Sequence, residues 1–180
     1  PLHEPRTGLP TGPMIRTELT RRAGQAGWHF LDVTIEGFKT LRETYSFLAS
    51  DAALDLAVQV LAEVVSEMGT PDDFVGTPEE ARFVVLTHTE EVDAFSRALT
   101  DRFAERSKSL YNFMDAERGH IVVNPGGPDE RREALMTLDV RPLNAASPAA
   151  AAVGDGEAVG RAVRRPSCHP MELRVDARDD

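Results

Sequence analysis

Cysteine is nearly missing from this sequence. Cys168 stands alone among 180 residues, so no disulfide within the chain can staple the fold. A reducing, cytoplasmic setting is the expectation that follows. Long apolar runs are lacking too, and no stretch approaches the roughly 20 residues that a helix needs to span a bilayer. Positive charge is scarce: 20 Lys and Arg stand against 30 Asp and Glu, a formal net charge of −10 with no sustained basic run. Attraction to nucleic acid or to an anionic membrane surface is therefore not expected. His29, His88 and His120 lack metal-ligand spacing, so neither a metal nor a cofactor is expected. No charged-then-apolar leader opens the chain, and Pro1 in place of Met is expected of a piece of something longer.

The remaining composition suits a folded domain, with 41% hydrophobic and 28% charged residues over a length that supports one core. Residues 1–13, rich in Pro and Gly, read as an irregular lead-in, 14–176 as the domain and 177–180 as a tail. Ile15 and Leu19 share one face of a helix over 14–23. "WHFLDVTI" predicts a strand over 28–35, and "GFKTLRETYSF" a short helix. From 51 to 68, Leu54, Val58, Leu61, Val65 and Met68 recur at helical spacing up to a stop at Gly69. A further helix turns Val92, Phe95, Leu99 and Phe103 inward, with Thr89 as its cap. "GHIVV" and "EALMTLDVRPL" read as two strands of a hairpin joined by "NPGGPDERR". After a low-complexity tract over 144–158 come a short basic helix over 157–165 and a last strand, "MELRV". This order of elements predicts an α/β (α+β) fold: a mixed central sheet flanked by helices, with an additional small β-hairpin.

One stretch, "VGTPEEARFVVLT" over 75–87, carries contradictory signals. Thr77, Pro78, Glu79 and Glu80 have the chemistry of a helix start. The run from Phe83 to Thr87 is β-branched and aromatic, which predicts a strand. Pairing it with "DDFVG" gives a hairpin whose tip is 77–81, and the helix-start chemistry then marks only that tip.

These segments together resemble the GGDEF family, the diguanylate cyclase domains that join two GTP molecules into cyclic di-GMP. "RTGLPTGPMI" resembles the family's opening "LTGLPNR", and "LDVTIEGFKTLRETYSFLASDAAL" its "DIDxFKxxNDxxGHxxGDxxL" segment. "DDFVGTPEEARFVVLT" falls where members have a strand, the GG(D/E)EF turn and a second strand. "RFAERSKSLYNFMDAERGHIVV" and "ALMTLDV" look like an enlarged insertion before the "SIGV" strand. The resemblance implies a palm-type α/β domain.

It also implies where function would sit. Glu79 and Glu80 occupy the two Gly positions of the signature, Ala81 and Arg82 its acidic pair, and Phe83 alone is retained. The family's first metal-binding Asp falls on Thr34 and its second on Glu36. Its guanine-contacting Asn falls on Arg42, while the later guanine-contacting Asp is kept as Asp51. The product-inhibition motif RxxD reads Thr70-Pro71-Asp72-Asp73, without its Arg. Arg161, Arg164 and Arg165 stand where the last helix supplies cationic phosphate contacts.

Each position has a plainer reading. Glu79 and Glu80 are solvated charges on a turn, Asp51 is explained by a helix dipole, and the arginines form a solvated basic face. Asp32 shares a strand face with Thr34 and Glu36 and could serve a rebuilt cation site. Cys168-His169 has no visible third partner for nucleophilic chemistry. Two carboxylates set where phosphates should lie add repulsion, roughly 4 kcal/mol for like charges about 4 Å apart at a surface-like dielectric. The resemblance with these losses implies a degenerate, noncatalytic GGDEF domain, not an enzyme. Its partner would be another protein or a second copy, with a receiver or sensor module attached in the same chain. Two alternatives stay open: a receptor that binds GTP or a cyclic dinucleotide without turnover, and a nucleotide cyclase with an altered site.

Overall fold

The computed structural model describes residues 1–143. The helix expected over 157–165, the strand at 171–175, and Arg161, Arg164, Arg165, Cys168 and His169 lie outside the described residues.

Irregular chain over 1–11 gives way to α1, Gly12–Arg22, two residues ahead of the expected start. Pro13 fits that first turn because its missing N–H has no partner to lose there. β1, His29–Glu36, ends at Gly37, whose φ of 82° turns the chain into α2, Phe38–Thr44. The next helix, α3, spans Phe47–Met68 and begins four residues before position 51. Its cap is Ser46, whose hydroxyl accepts from the Ala49 amide at 3.1 Å. Asp51 is therefore not at the helix start, and the dipole reading of that residue is corrected. The buried face of α3 is also rotated from the expected stripe. Leu54 and Leu61 are buried, but Ala53, Ala57, Val60 and Val64 complete the face, while Val58, Val65 and Met68 sit at its half-buried edge.

β2, Phe74–Glu79, and β3, Arg82–Thr87, form the expected hairpin. Its turn is only Glu80 and Ala81, because a bulge between Gly76 and Glu79 absorbs Thr77 and Pro78. Pro78 has no N–H for a ladder, so the bulge is where it can sit. α4, Val92–Ser107, buries Phe95, Leu99 and Phe103 as expected. Its cap position is Glu91 rather than Thr89, which is buried and accepts from the Glu91 amide at 3.3 Å. A 3-10 turn, Lys108–Leu110, and α5, Phe113–Arg118, follow, and periodicity predicts neither because both are too short to show one. β4, His120–Val123, and β5, Arg131–Ala134, pair as a separate small hairpin. The strand expected from "EALMTLDVRPL" breaks after Ala134 and resumes as β6, Thr137–Pro142, in the main sheet.

The main sheet has the order β2-β3-β1-β6. Every pairing among the described residues is antiparallel, which corrects the expectation of mixed neighbours. The helical crossover does return β2 in the direction of β1, but β3 folds back between them and takes the place beside β1. One face of the sheet, with Leu31, Val33, Ile35, Phe83, Val85 and Leu138, shares a buried cluster with α3 and α4. The reverse face carries a smaller cluster of Ile15 and Leu19 from α1 with Val84, Leu86 and Leu143. Among the described residues no helix is long and apolar enough to cross a membrane.

Candidate functional site

The register of the sheet decides which signature positions meet. β1 pairs with β3 so that Thr34 stands opposite Arg82, and with β6 so that Thr34 also stands opposite Asp139. The position implied for the first metal-binding acid thus faces, across one ladder, a position implied for the signature's acidic pair. They hold a hydroxyl and a guanidinium. Along β1, Asp32 is buried, Thr34 half-buried and Glu36 exposed on that same face, as alternation requires. His29, His88 and His120 join no group of three metal-ligating side chains among the described residues.

The hairpin tip is fastened from three sides. Ala81 adopts a left-handed φ of 62°, and its carbonyl accepts from the Ile35 amide at 2.9 Å, tying the turn to the end of β1. The Thr77 hydroxyl donates within the tip, 2.9 Å from the Glu79 carbonyl and 2.7 Å from that of Arg82. The Thr77 amide donates to the Pro10 carbonyl at 2.8 Å, which brings the N-terminal loop against the hairpin.

Both glutamates of the tip have cationic partners. Glu79 pairs with Arg82 of its own hairpin, and Glu80 pairs with Arg42 of α2 at 2.8 Å. Arg42 also donates to the Ser50 hydroxyl at 3.1 Å. Its guanidinium lies 4.8 Å from the Phe38 ring centroid and 4.9 Å from that of Phe47, within cation–π range of both rings. The hydrogen bond from Arg42 to Glu80 raises the guanidinium further above its already high ordinary pKa. These contacts exceed the reading of two solvated charges: the turn is linked to α2.

Asp51 also has a partner. Arg6 reaches its carboxylate at 3.1 Å, its carbonyl at 3.1 Å and the Asp55 carboxylate at 3.5 Å. Arg6 is held by a tight loop in which the Glu4 amide donates to the Leu9 carbonyl at 2.8 Å and the Glu4 carboxylate accepts from the Thr7 amide and hydroxyl, each at 2.6 Å. Between this loop and the hairpin tip lies a hollow of about 150 Å³, lined by Glu4, Arg6, Leu54, Pro78 and Phe83 among others. Sites for drug-sized ligands run from about 300 Å³ upward. A larger hollow of about 380 Å³ lies at the other end of β1, between Trp28, Val92 and Pro142, and contains none of the implied site residues.

In the segment standing for RxxD, Asp73 closes the base of the hairpin. Its carboxylate accepts from the Thr70 hydroxyl at 2.5 Å, the Thr87 hydroxyl at 2.8 Å and the His88 amide at 3.1 Å.

The structure therefore gathers Thr34, Arg42, Asp51 and the hairpin tip over Glu79 to Phe83 at one end of the sheet, while Phe83 itself is core. Sequence reading missed Arg6, which bonds a residue 45 positions away, and no local pattern announces such a contact.

No protein-family model matches the chain, and no curated protein matches it. Solved structures do. The GGDEF domain of TpbB (YfiN) from Pseudomonas aeruginosa is 16% identical over 77% of this chain and 72% of that one, with a TM-score of 0.50. The GGDEF domain of DgcB from Caulobacter crescentus, solved with c-di-GMP, is 13% identical over 77% of this chain and 74% of that one, with a TM-score of 0.49. Likeness at such identity concerns the fold, and on the first of these two the chain is an α/β domain with a GGDEF-like fold: a central antiparallel sheet flanked by helices, plus a separate two-stranded hairpin.

Proposed function

We propose that this chain is a noncatalytic GGDEF-like domain that serves signalling through protein contact, by self-association or by docking a partner protein. The observation that carries this reading is the occupation of the signature turn by the chain's own ion pairs, Glu80 with Arg42 and Glu79 with Arg82. Attack of a ribose hydroxyl on an α-phosphate needs cations that neutralise the phosphates and activate the nucleophile. Close backbone approach at the turn needs glycine. Here that turn carries carboxylates, and the strand position implied for a metal-binding Asp carries Thr34 opposite Arg82. The hollow beside the turn is about half the volume at which pockets for drug-sized ligands begin, and a nucleoside triphosphate is at least that large.

The test is incubation of the chain with GTP or ATP and magnesium, followed by chromatography of the products. The expected result is no cyclic dinucleotide above a control without protein, and any such product sinks the reading. A thermal-shift titration with GTP and magnesium runs beside it. No shift at millimolar nucleotide is expected, and a shift without product would replace protein contact by the receptor alternative.

A further inference from the structure

Among the described residues the exposed large apolar side chains are Leu2, Phe47, Leu48, Phe113 and Met114, and four of these five open two helices. Phe47 and Leu48 are the first residues of α3, Phe113 and Met114 the first of α5. The two corners are built alike. In each a polar cap accepts from the amide three residues on, Ser46 from Ala49 at 3.1 Å and Asn112 from Asp115 at 2.8 Å, and a Phe and then a Leu or Met follow the cap.

Tyr45 joins the corners. Its hydroxyl donates to the Asp115 carboxylate and accepts from the Asn112 amide at 3.2 Å, and its ring meets Tyr111 edge-on at 5.7 Å. Arg118 holds the same carboxylate from the other side. The apolar pairs are thus fixed on a braced corner of the molecule. Single exposed apolar residues are ordinary, but two pairs braced together are not, and the contact of Phe47 with Arg42 accounts for one of the four side chains alone.

We propose that this surface is the contact between two copies of the chain, with Phe47 and Leu48 of one copy against Phe113 and Met114 of the other, and the reverse. The proposal rests on the self-association named above and supplies its surface. A two-fold interface must be self-complementary, and two similar corners side by side satisfy that requirement. Exposed by 62 to 79%, the four side chains offer an area on the order of 500 Å² per copy. Two copies together then bury on the order of 1,000 Å², where specific interfaces begin. A net charge of −10 on each copy opposes the approach, so the dimer tightens as salt screens the repulsion.

Sedimentation velocity on the whole chain, across a concentration series at low and high salt, tests this. A dimer that grows with concentration and with salt is expected. Leu48→Ser and Phe113→Ser should each weaken it at least about tenfold, as loss of an apolar anchor does, with unchanged circular dichroism and, at dilutions where the chains are monomeric, unchanged thermal melts. In a Cys168→Ser background, Leu48→Cys and Met114→Cys chains mixed with a short bismaleimide should cross-link to each other more than either does to itself. A chain that stays monomeric at every concentration overturns the proposal and the self-association beneath it. A dimer indifferent to both serine substitutions, without the mixed cross-link, overturns this surface alone. A cyclic dinucleotide in the product assay would sink the noncatalytic reading without touching the dimer result.

Discussion

Arg42 and Glu80 meet at 2.8 Å across the gap between α2 and the turn of the β2–β3 hairpin. The two residues do not contribute equally. Glu80 is more than half exposed, so a double-mutant cycle should give a coupling of only about 0.5 kcal/mol. Arg42→Ala also removes the contacts with the Phe38 and Phe47 rings and the hydrogen bond to the Ser50 hydroxyl, and should cost about 1–2 kcal/mol, against less than about 1 kcal/mol for Glu80→Ala. Urea unfolding of the two single variants and the double measures all three. Equal losses would show that the ion pair, and not the contacts with the rings, dominates.

Ala81 has a left-handed φ of 62° and is buried. Ala81→Gly relieves about 1 kcal/mol of backbone strain and gives up about 0.8 kcal/mol of methyl burial, so the melt should barely move. Ala81→Val places a β-branched residue in the same conformation and should destabilise by about 2 kcal/mol or more. Thermal unfolding separates the two, and a harmless valine would mean that the turn is free to change conformation.

At Gly76 the limit is space. A Cβ built there comes within 2.5 Å of Ile15 Cγ1 and 2.9 Å of its Cδ1, and Ile15, on the inner face of α1, is fully buried. Alanine usually improves a strand glycine, but here α1 must lift off the hairpin. Gly76→Ala should cost about 1–3 kcal/mol in denaturant unfolding.

Proton linkage should bracket stability from both sides. Burial, and next the hydrogen bond to Asp115, push the Tyr45 phenol up to about 12, and burial also raises Tyr111. A raised phenol contributes fully below its ordinary value of about 10, and the contribution disappears as pH climbs from there towards about 12. Asp115 has the opposite sign. The hydrogen bond from Tyr45, opposed by burial and helped by Arg118, holds its carboxyl below the ordinary range. Its contribution is present above about pH 4 and lost on further acidification. Tyr45→Phe should flatten both limbs of a plot of stability against pH. Tyrosinate absorbance of the wild type should stay low at pH 10, where free tyrosine is about half ionised.

Much of this fold could be read from periodicity, because most long elements bury a regular stripe. Phe95, Leu99 and Phe103 on α4 and the alternation along β1 are found as expected. Periodicity does not mark the start of α3, because Phe47 and Leu48 face solvent and break the stripe that runs along the rest of the helix. The order of the implied signature positions along the chain was legible through the resemblance alone. Their partners were not, since Arg6 to Asp51 and Arg42 to Glu80 are contacts between charged surface residues far apart in sequence, and neither propensity nor hydrophobic pattern encodes which carboxylate a guanidinium will choose. Asp73 shows the reverse case. The resemblance implies an inhibitory-site acid there, yet its three hydrogen bonds shape the foot of a hairpin.

The sheet divides the interior unequally, with α3 and α4 over a large cluster on one face and α1 over a small one on the other. Local opening follows the thinner layer, so the amide hydrogens of α1 should exchange with deuterated solvent well before those of α3. Because Thr77 is bonded to Pro10 just ahead of α1, each such breathing event loosens the N-terminal loop from the β2–β3 turn, and that end of the molecule would be remodelled without the main core melting.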